Sequence, residues 1–186
     1  MAIFAAVLDA CVMVPVSLCD TLLRLAEEQL YRPIWSTRIL AETSDAISSV
    51  HPDLDASKIE RRIAYMSEAF PGACVGDFAE IEHGLELPDP DDRHVVAAAL
   101  RAHADAIVTA NLRDFPDRTM RRLDLEVISP DDFLLSQLDM RGAIVLHALE
   151  TQADATRNPR RSVDDVLTSL HRAGVPGFVE EVRRRI

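Results

Sequence analysis

The chain has 186 residues, of which 48% are hydrophobic, and a formal net charge of -11 from 31 acidic and 20 basic residues. Its length predicts one domain or one domain with an appendage, and the apolar fraction excludes an intrinsically disordered chain. The acidic balance excludes a generic polyanion-binding surface, which would be basic. Lys58 is the single lysine. Cys11, Cys19 and Cys74 are odd in number and form no C-x-x-C pair, so neither a disulfide framework nor a zinc site is expected. A reducing cytoplasm is the natural setting. The apolar start, residues 1–8, stops at Asp9 without a basic leader, and reads as neither a signal peptide nor a membrane span.

In chain order, Ile3 to Leu8 reads as a buried strand ending at Asp9. Residues 15–30 read as a helix with Leu18, Leu22, Leu23 and Leu25 on its apolar side. Pro33 interrupts, and Ser36 or Thr37 caps a second helix carrying Ile39, Leu40 and Ile47. Asp55-Ala56-Ser57 opens a third helix that reaches Phe70, and Ala73 to Val75 reads as a short strand. Pro88-Asp89-Pro90-Asp91-Asp92 is a turn feeding a helix that runs to about His103. Ala106 to Thr109 and Glu126 to Ile128 are further strands, and Ser129-Pro130 caps a helix from Asp131. Short apolar strands alternating with helices predict an α/β fold with a parallel sheet. After Leu135 the pattern is helical only, over 141–156, 162–173 and 176–185. The charge changes there too: residues 1–135 carry a net of -12 and residues 136–186 a net of +1. The expected organisation is an α/β domain over 1–135 and a helical extension over 136–186.

Open parallel sheets bind ligands beyond the carboxyl ends of their strands. Asp9 ends the first strand, Asp89, Asp91 and Asp92 stand where a loop feeds a helix, and Asp114 follows the strand 106–109. Glu42 lies on the helix after Trp35. Carboxylates forced together repel one another, and a divalent cation offsets that repulsion. Mg²⁺ and Mn²⁺ prefer oxygen ligands and leave room for water and phosphate, which is the chemistry of phosphodiester hydrolysis. For each acid alone a helix cap or a solvated side chain is an adequate account; their convergence at strand ends is what points to a site.

Four segments give a more specific signal: Val7-Leu8-Asp9-Ala10-Cys11-Val12; Trp35-Ser36-Thr37-Arg38-Ile39-Leu40-Ala41-Glu42; Leu87 to Ala99; and Ile107-Val108-Thr109-Ala110-Asn111-Leu112-Arg113-Asp114-Phe115. In order and spacing the sequence resembles PIN-domain proteins, the nuclease fold of VapC-type toxins of toxin–antitoxin pairs. The resemblance implies a PIN-like three-layer sandwich around a short parallel sheet. It implies a Mg²⁺- or Mn²⁺-dependent endoribonuclease with Asp9, Glu42, Asp92 and Asp114 as its catalytic acids, of which Asp9, Asp92 and Asp114 would hold the metal. It also implies an RNA substrate, a small antitoxin as partner, and a homodimer. Two departures stand out: Ala10 and Cys11 follow the first aspartate where a hydroxyl or amide is common, and Asn111 replaces a further acid of some members.

Other residues invite weaker readings. His94 reads as a solvated histidine of a first helical turn, Cys11 as a small packed residue, and Trp35 as a core or helix-entry residue. Arg157, Arg160 and Arg161 and the run Arg183-Arg184-Arg185 suit either helix ends or phosphate contacts. A receiver-like signalling module would also gather acids at strand ends, but needs a lysine after the last strand, and Lys58 stands before the second. A catalytically inactive PIN fold serving as an interaction scaffold is the remaining alternative.

Overall fold

The computed structural model describes residues 4–156 and 159–186, so Ile3 and Arg157 lie outside the described residues. Five strands, β1 (Ala5–Leu8), β2 (Arg32–Ser36), β3 (Cys74–Val75), β4 (Ala106–Val108) and β5 (Glu126–Ile128), pair in parallel in the order β3-β2-β1-β4-β5. All four residues of β1 are buried, as are those of β4, which is why both strands read as continuous apolar runs without alternation.

Among the described residues, seven helices connect the strands. α1 (Ala10–Met13) and α2 (Val16–Glu27) follow β1; α3 (Thr37–Val50) and α4 (Ala56–Ala69) follow β2. α5 (Ala79–His83) and α6 (Arg93–Ala102) lead to β4, and α7 (Asp117–Arg122) lies between β4 and β5. The expected helix over 15–30 is thus shorter, and a separate turn of helix precedes it. The caps fall where the sequence puts them: Ser36 accepts from the Ile39 amide at 3.2 Å and Asp55 from the Ser57 amide at 2.9 Å. The parallel sheet flanked by helices is the predicted α/β sandwich.

β2 is not among the predicted strands because Pro33 lies within it. In a parallel strand successive amides point to opposite neighbours. The Arg32 amide donates to Phe4 beside β1, and the Trp35 amide donates to Ala73 beside β3. Pro33 therefore faces the β3 side, where pairing starts only at Trp35, and its missing N–H breaks no ladder bond. α5 and α7 are likewise absent from the predicted elements; each is under two turns long and too short to show a period.

The C-terminal helices are α8 (Pro130–Ala155), bent at Arg141, α9 (Val163–Arg172) and α10 (Pro176–Arg185). Their apolar faces, including Val145, Leu149, Val166, Leu167, Leu170, Phe178 and Val182, join one core with β1 and α2. A buried polar link fixes this docking: the Thr21 hydroxyl donates to Gln152 Oε1 at 2.7 Å, and Gln152 Nε2 donates to the Ser17 carbonyl at 2.9 Å. Asp131 caps α10 from a distance, accepting from the amides of Gly177 (3.0 Å) and Phe178 (2.7 Å). A Cβ on residue 177 would stand 2.9 Å from the Asp131 carboxylate, which a larger residue would have to push aside.

Asp131→Ala should remove two charge-assisted bonds and cost about 1–2 kcal/mol, lowering the Tm by about 2–6 °C. Thermal unfolding followed by circular dichroism measures this, and an unchanged Tm would show that α10 is held by its apolar face alone.

Candidate active site at the sheet edge

The strand order reverses between β1 and β4, which makes their carboxyl ends the topological switch point of the sheet. Asp9 continues β1 at that point, its amide donating to the Val108 carbonyl at 3.1 Å. Asp9 is only 8% exposed, and its carboxylate is held at both oxygens. The Ala10 amide donates to Oδ1 at 2.7 Å, and the Thr109 hydroxyl, from the end of β4, donates to Oδ2 at 2.7 Å. The Cys11 thiol adds a weaker donor to Oδ2 at 3.2 Å, filling the place where a hydroxyl or amide is expected. Burial, with the charge of Asp9, pushes that thiol up to about 11, so it is protonated at neutral pH and poorly suited to nucleophilic attack.

Glu42 lies in α3, whose start is fixed by the Ser36 cap, and is half-buried. Its Oε1 accepts from Arg38 Nε at 3.3 Å and lies 3.0 Å from His94 Nε2. Desolvation, the largest cause, raises its carboxyl despite Arg38, and Asp9 and Asp91 push the same way. Arg38 spreads its guanidinium further, donating to Glu82 at 2.9 Å and to the Asp91 carbonyl at 3.4 Å.

The three aspartates before α6 divide cleanly. Asp89 caps the turn Pro90–Asp92, accepting from the Asp91 amide at 2.9 Å, and Asp91 is exposed. Asp92 makes no capping bond and is turned inward. Burial and then the charges of Asp9, Asp114, Asp89 and Glu42 push its carboxyl up to about 6. It is thus the acid that feels the other three candidates together. Asp114 ends a short 3-10 turn, Leu112–Asp114, and accepts a hydrogen bond from the Asn111 side chain. Asn111 in turn anchors its own amide on the Thr109 hydroxyl at 3.0 Å.

Whether these residues suit a divalent cation divides into chemistry and arrangement. The donor set is carboxylate oxygen, which suits Mg²⁺ or Mn²⁺. Among the described residues, however, no three acidic, histidine or cysteine side chains form a group that could hold an ion as they stand. Ala10, Thr109 and Cys11 donate to the oxygens of Asp9, and Asn111 donates to one oxygen of Asp114. Mg²⁺ keeps much of its water and needs only one or two carboxylates directly, so a closed protein cage is not required.

His94 departs from the sequence reading. It is 1% exposed rather than solvated, in the first turn of α6. Desolvation, aided by Arg38, pushes its imidazole down to about 4, so it is neutral at pH 7. Trp35 is fully buried, edge-on to Phe70. Lys58 is exposed on α4. A groove of about 510 Å³ between α2 and α4, lined by Leu23, Tyr65, Met66 and Phe70 among others, carries none of the four acids. Among the described residues no helix is long and apolar enough to cross a membrane.

Comparison with known proteins adds to this geometry. The PIN domain family matches residues 5–113, and the family described as the VapC50 C-terminal domain matches residues 130–184. A Mycobacterium tuberculosis protein named "Putative ribonuclease VapC50" is 39% identical over 93 residues, 50% of this chain and 54% of that protein. The match therefore spans about half the length of this curated relative. No solved structure matches. With more than half of its length matched, and with the parallel sheet and strand-end acids described above, the chain belongs to the PIN-domain family and carries a C-terminal region of the VapC50 type.

Proposed function

We propose that this protein is a divalent-metal-dependent endoribonuclease, with residues 1–135 as the nuclease domain and 136–186 as a helical extension. The observation that supports this most is Asp92: burial, and then the charges of the acids around it, raise its carboxyl to about 6 at the switch point of a PIN-family sheet. Asp9, Asp92 and Asp114 would hold Mg²⁺ or Mn²⁺. When bound, such an ion lowers the pKa of water and shields the scissile phosphate from the carboxylates. The chain's own contribution is positional. Thr109 and the Ala10 amide hold Asp9 in one orientation, and Asn111 does the same for Asp114. Glu42, half-buried and raised, is suited to accept a proton from the attacking water. Arg38, beside Glu42 and partly exposed, is a further candidate to meet an RNA phosphate.

The relative's name, ribonuclease VapC50, supports the toxin reading. In it the protein acts in the cytoplasm as a homodimer and is silenced by a small antitoxin. The net charge of -12 over residues 1–135 favours a basic segment of that partner.

Asp9→Asn keeps the side-chain shape and removes one charge. RNA cleavage should fall at least about 100-fold with the fold retained, and wild-type cleavage by this variant would refute the site. The Asp92 carboxyl gives a pH-dependent prediction. Its folded value of about 6 lies above the ordinary 3.8, so the metal-free folded state binds this proton more tightly than the unfolded chain. The penalty is present in full above pH 6 and fades as pH falls toward 4. Metal-free Asp92→Asn should therefore melt about 1–3 °C higher than wild type at pH 7, the size limited by solvent screening, and no higher near pH 4. Calorimetric Mn²⁺ affinity should rise with pH through about 6 and drop about tenfold or more in Asp92→Asn, but not in Asp89→Asn or Asp91→Asn. Equal losses in all three would assign the effect to general charge. Expression in a bacterial host should arrest growth, the neighbouring small protein should relieve it, and Asp9→Asn should be harmless; harmless overexpression of active enzyme would remove the toxin role and leave the nuclease role.

A further inference from the structure

His94 is buried among apolar residues of α6, in a run from His94 to Ala99 that is buried throughout. Its Nδ1 is buried without a hydrogen-bond partner among the described residues. Its Nε2 lies 3.0 Å from Glu42 Oε1. A buried polar atom left unsatisfied is costly, and an aliphatic side chain of similar size would not incur that cost. Packing alone gives no reason for histidine at this position.

The two nitrogens together fix a proton. A neutral imidazole carries its hydrogen on one nitrogen only. With the hydrogen on Nδ1, a buried donor would have no partner among the described residues and an Nε2 lone pair would face a carboxylate. With the hydrogen on Nε2, the donor faces Glu42 and Nδ1 leaves only a lone pair in the pocket. We infer that His94 is the positioning residue of Glu42: it presents Nε2–H to Oε1 and thereby fixes the carboxylate so that Oε2 faces the acid cluster. Arg38 also donates to Oε1, and among the described residues no hydrogen bond ends on Oε2. Arg38 is 43% exposed and divided among Glu42, Glu82 and Asp91, whereas His94 is enclosed and, among the described residues, pairs with Glu42. Outer partners of this kind orient reacting carboxylates. The start of α6 thus serves both sides of the site: Asp92 enters the cluster directly, and His94, two residues on, holds the acid contributed by α3.

This inference rests on the reading of the acid cluster as a nuclease centre, and its test separates the two. Long-range ¹H–¹⁵N spectra of the metal-free full chain should show a pyrrole-type Nε2 and a pyridine-type Nδ1 for His94. In Glu42→Gln the Nε2 signal should move and the Nδ1 signal stay. A proton on Nδ1, or a ring indifferent to Glu42→Gln, overturns the proposal whether or not the protein cuts RNA. With a long single-stranded RNA transcript as probe, His94→Leu should lower kcat about 10–100-fold with KM within about twofold, and His94→Gln, whose amide can donate near the Nε2 position, should recover to within about threefold of wild type. Loss of activity shared equally by His94→Leu and His94→Gln assigns His94 to packing and overturns the proposal, as does full activity in His94→Leu. Should His94→Leu fail to fold, the ring-nitrogen spectra decide. Should the wild-type chain leave RNA intact, the nuclease reading fails while the spectra still report on the contact.

Discussion

The bond from the Thr109 hydroxyl to the Asp9 carboxylate ties together the two strand ends on which the candidate site is built. Both residues are buried, and they stand where β1 and β4 emerge side by side at the reversal of strand order. A carboxylate at that depth needs donors close by, because a buried charge without hydrogen bonds is costly. Three donors from the chain itself meet that need, and they fix Asp9 as the inner wall of the cluster. The remaining acids come from outside: Glu42 on α3, Asp92 at the head of α6, and Asp114 after β4. Asp92 has no capping bond, and burial followed by the charges of the other acids raises its carboxyl, as burial also raises that of Glu42. The gradient from a fully hydrogen-bonded Asp9 to an unsupported Asp92 follows from which residue lies within the sheet and which lies at its rim.

Much of this is legible in the amino-acid sequence itself. Continuous apolar runs ending in an acid, as at Val7-Leu8-Asp9, read directly as a buried parallel strand and its end. Ser36, Asp55 and Ser129 announce helix starts because capping is a local interaction. β2 is not legible, since a proline ordinarily demotes a strand, and only the shortness of β3 makes Pro33 harmless; that is a property of the neighbouring strand. The choice among Asp89, Asp91 and Asp92 is equally non-local. All three suit a helix start by sequence, and the direction each side chain takes depends on how α6 meets the sheet. For His94 the sequence does hold a signal of burial: Ala97 and Ala98, three and four residues on, share its helical face and are apolar, which places it inward.

The C-terminal helices show the same limit. Their apolar periodicity requires a covering surface, without saying which. The structure answers with α2, through a shared core and the Thr21–Gln152 link. Several arginines that could have served phosphate are engaged within the chain. Arg183 is held by Asp164 at 2.7 Å, Arg185 by Asp139 and Glu181, and Arg161 reaches the Asp165 carbonyl at 2.7 Å. These pairs are largely exposed, so each adds little to stability. Their effect is to neutralise positive charge locally, and the near-neutral balance of residues 136–186 leaves the acidic field of the α/β part in place.

That field sets a requirement on any RNA that reaches the site. A polyanion approaching an acidic surface is repelled unless cations stand between them, and screening confines the repulsion to about 10 Å at moderate salt. A divalent cation at the acid cluster would meet the requirement at the shortest range, where its charge opposes both the carboxylates and the phosphate. Arg38 meets it one step outward. It already bridges Glu42 and Glu82 with its guanidinium partly exposed, so a phosphate can take over one of its bonds without moving the arginine from the rim. If His94 continues to hold Glu42 when Arg38 turns to the phosphate, the acid keeps its orientation while the arginine changes partner. Two contacts on one carboxylate oxygen, one enclosed and one exposed, are a redundancy if the site only has to fold. They become a division of labour if a negatively charged substrate must compete for the exposed one.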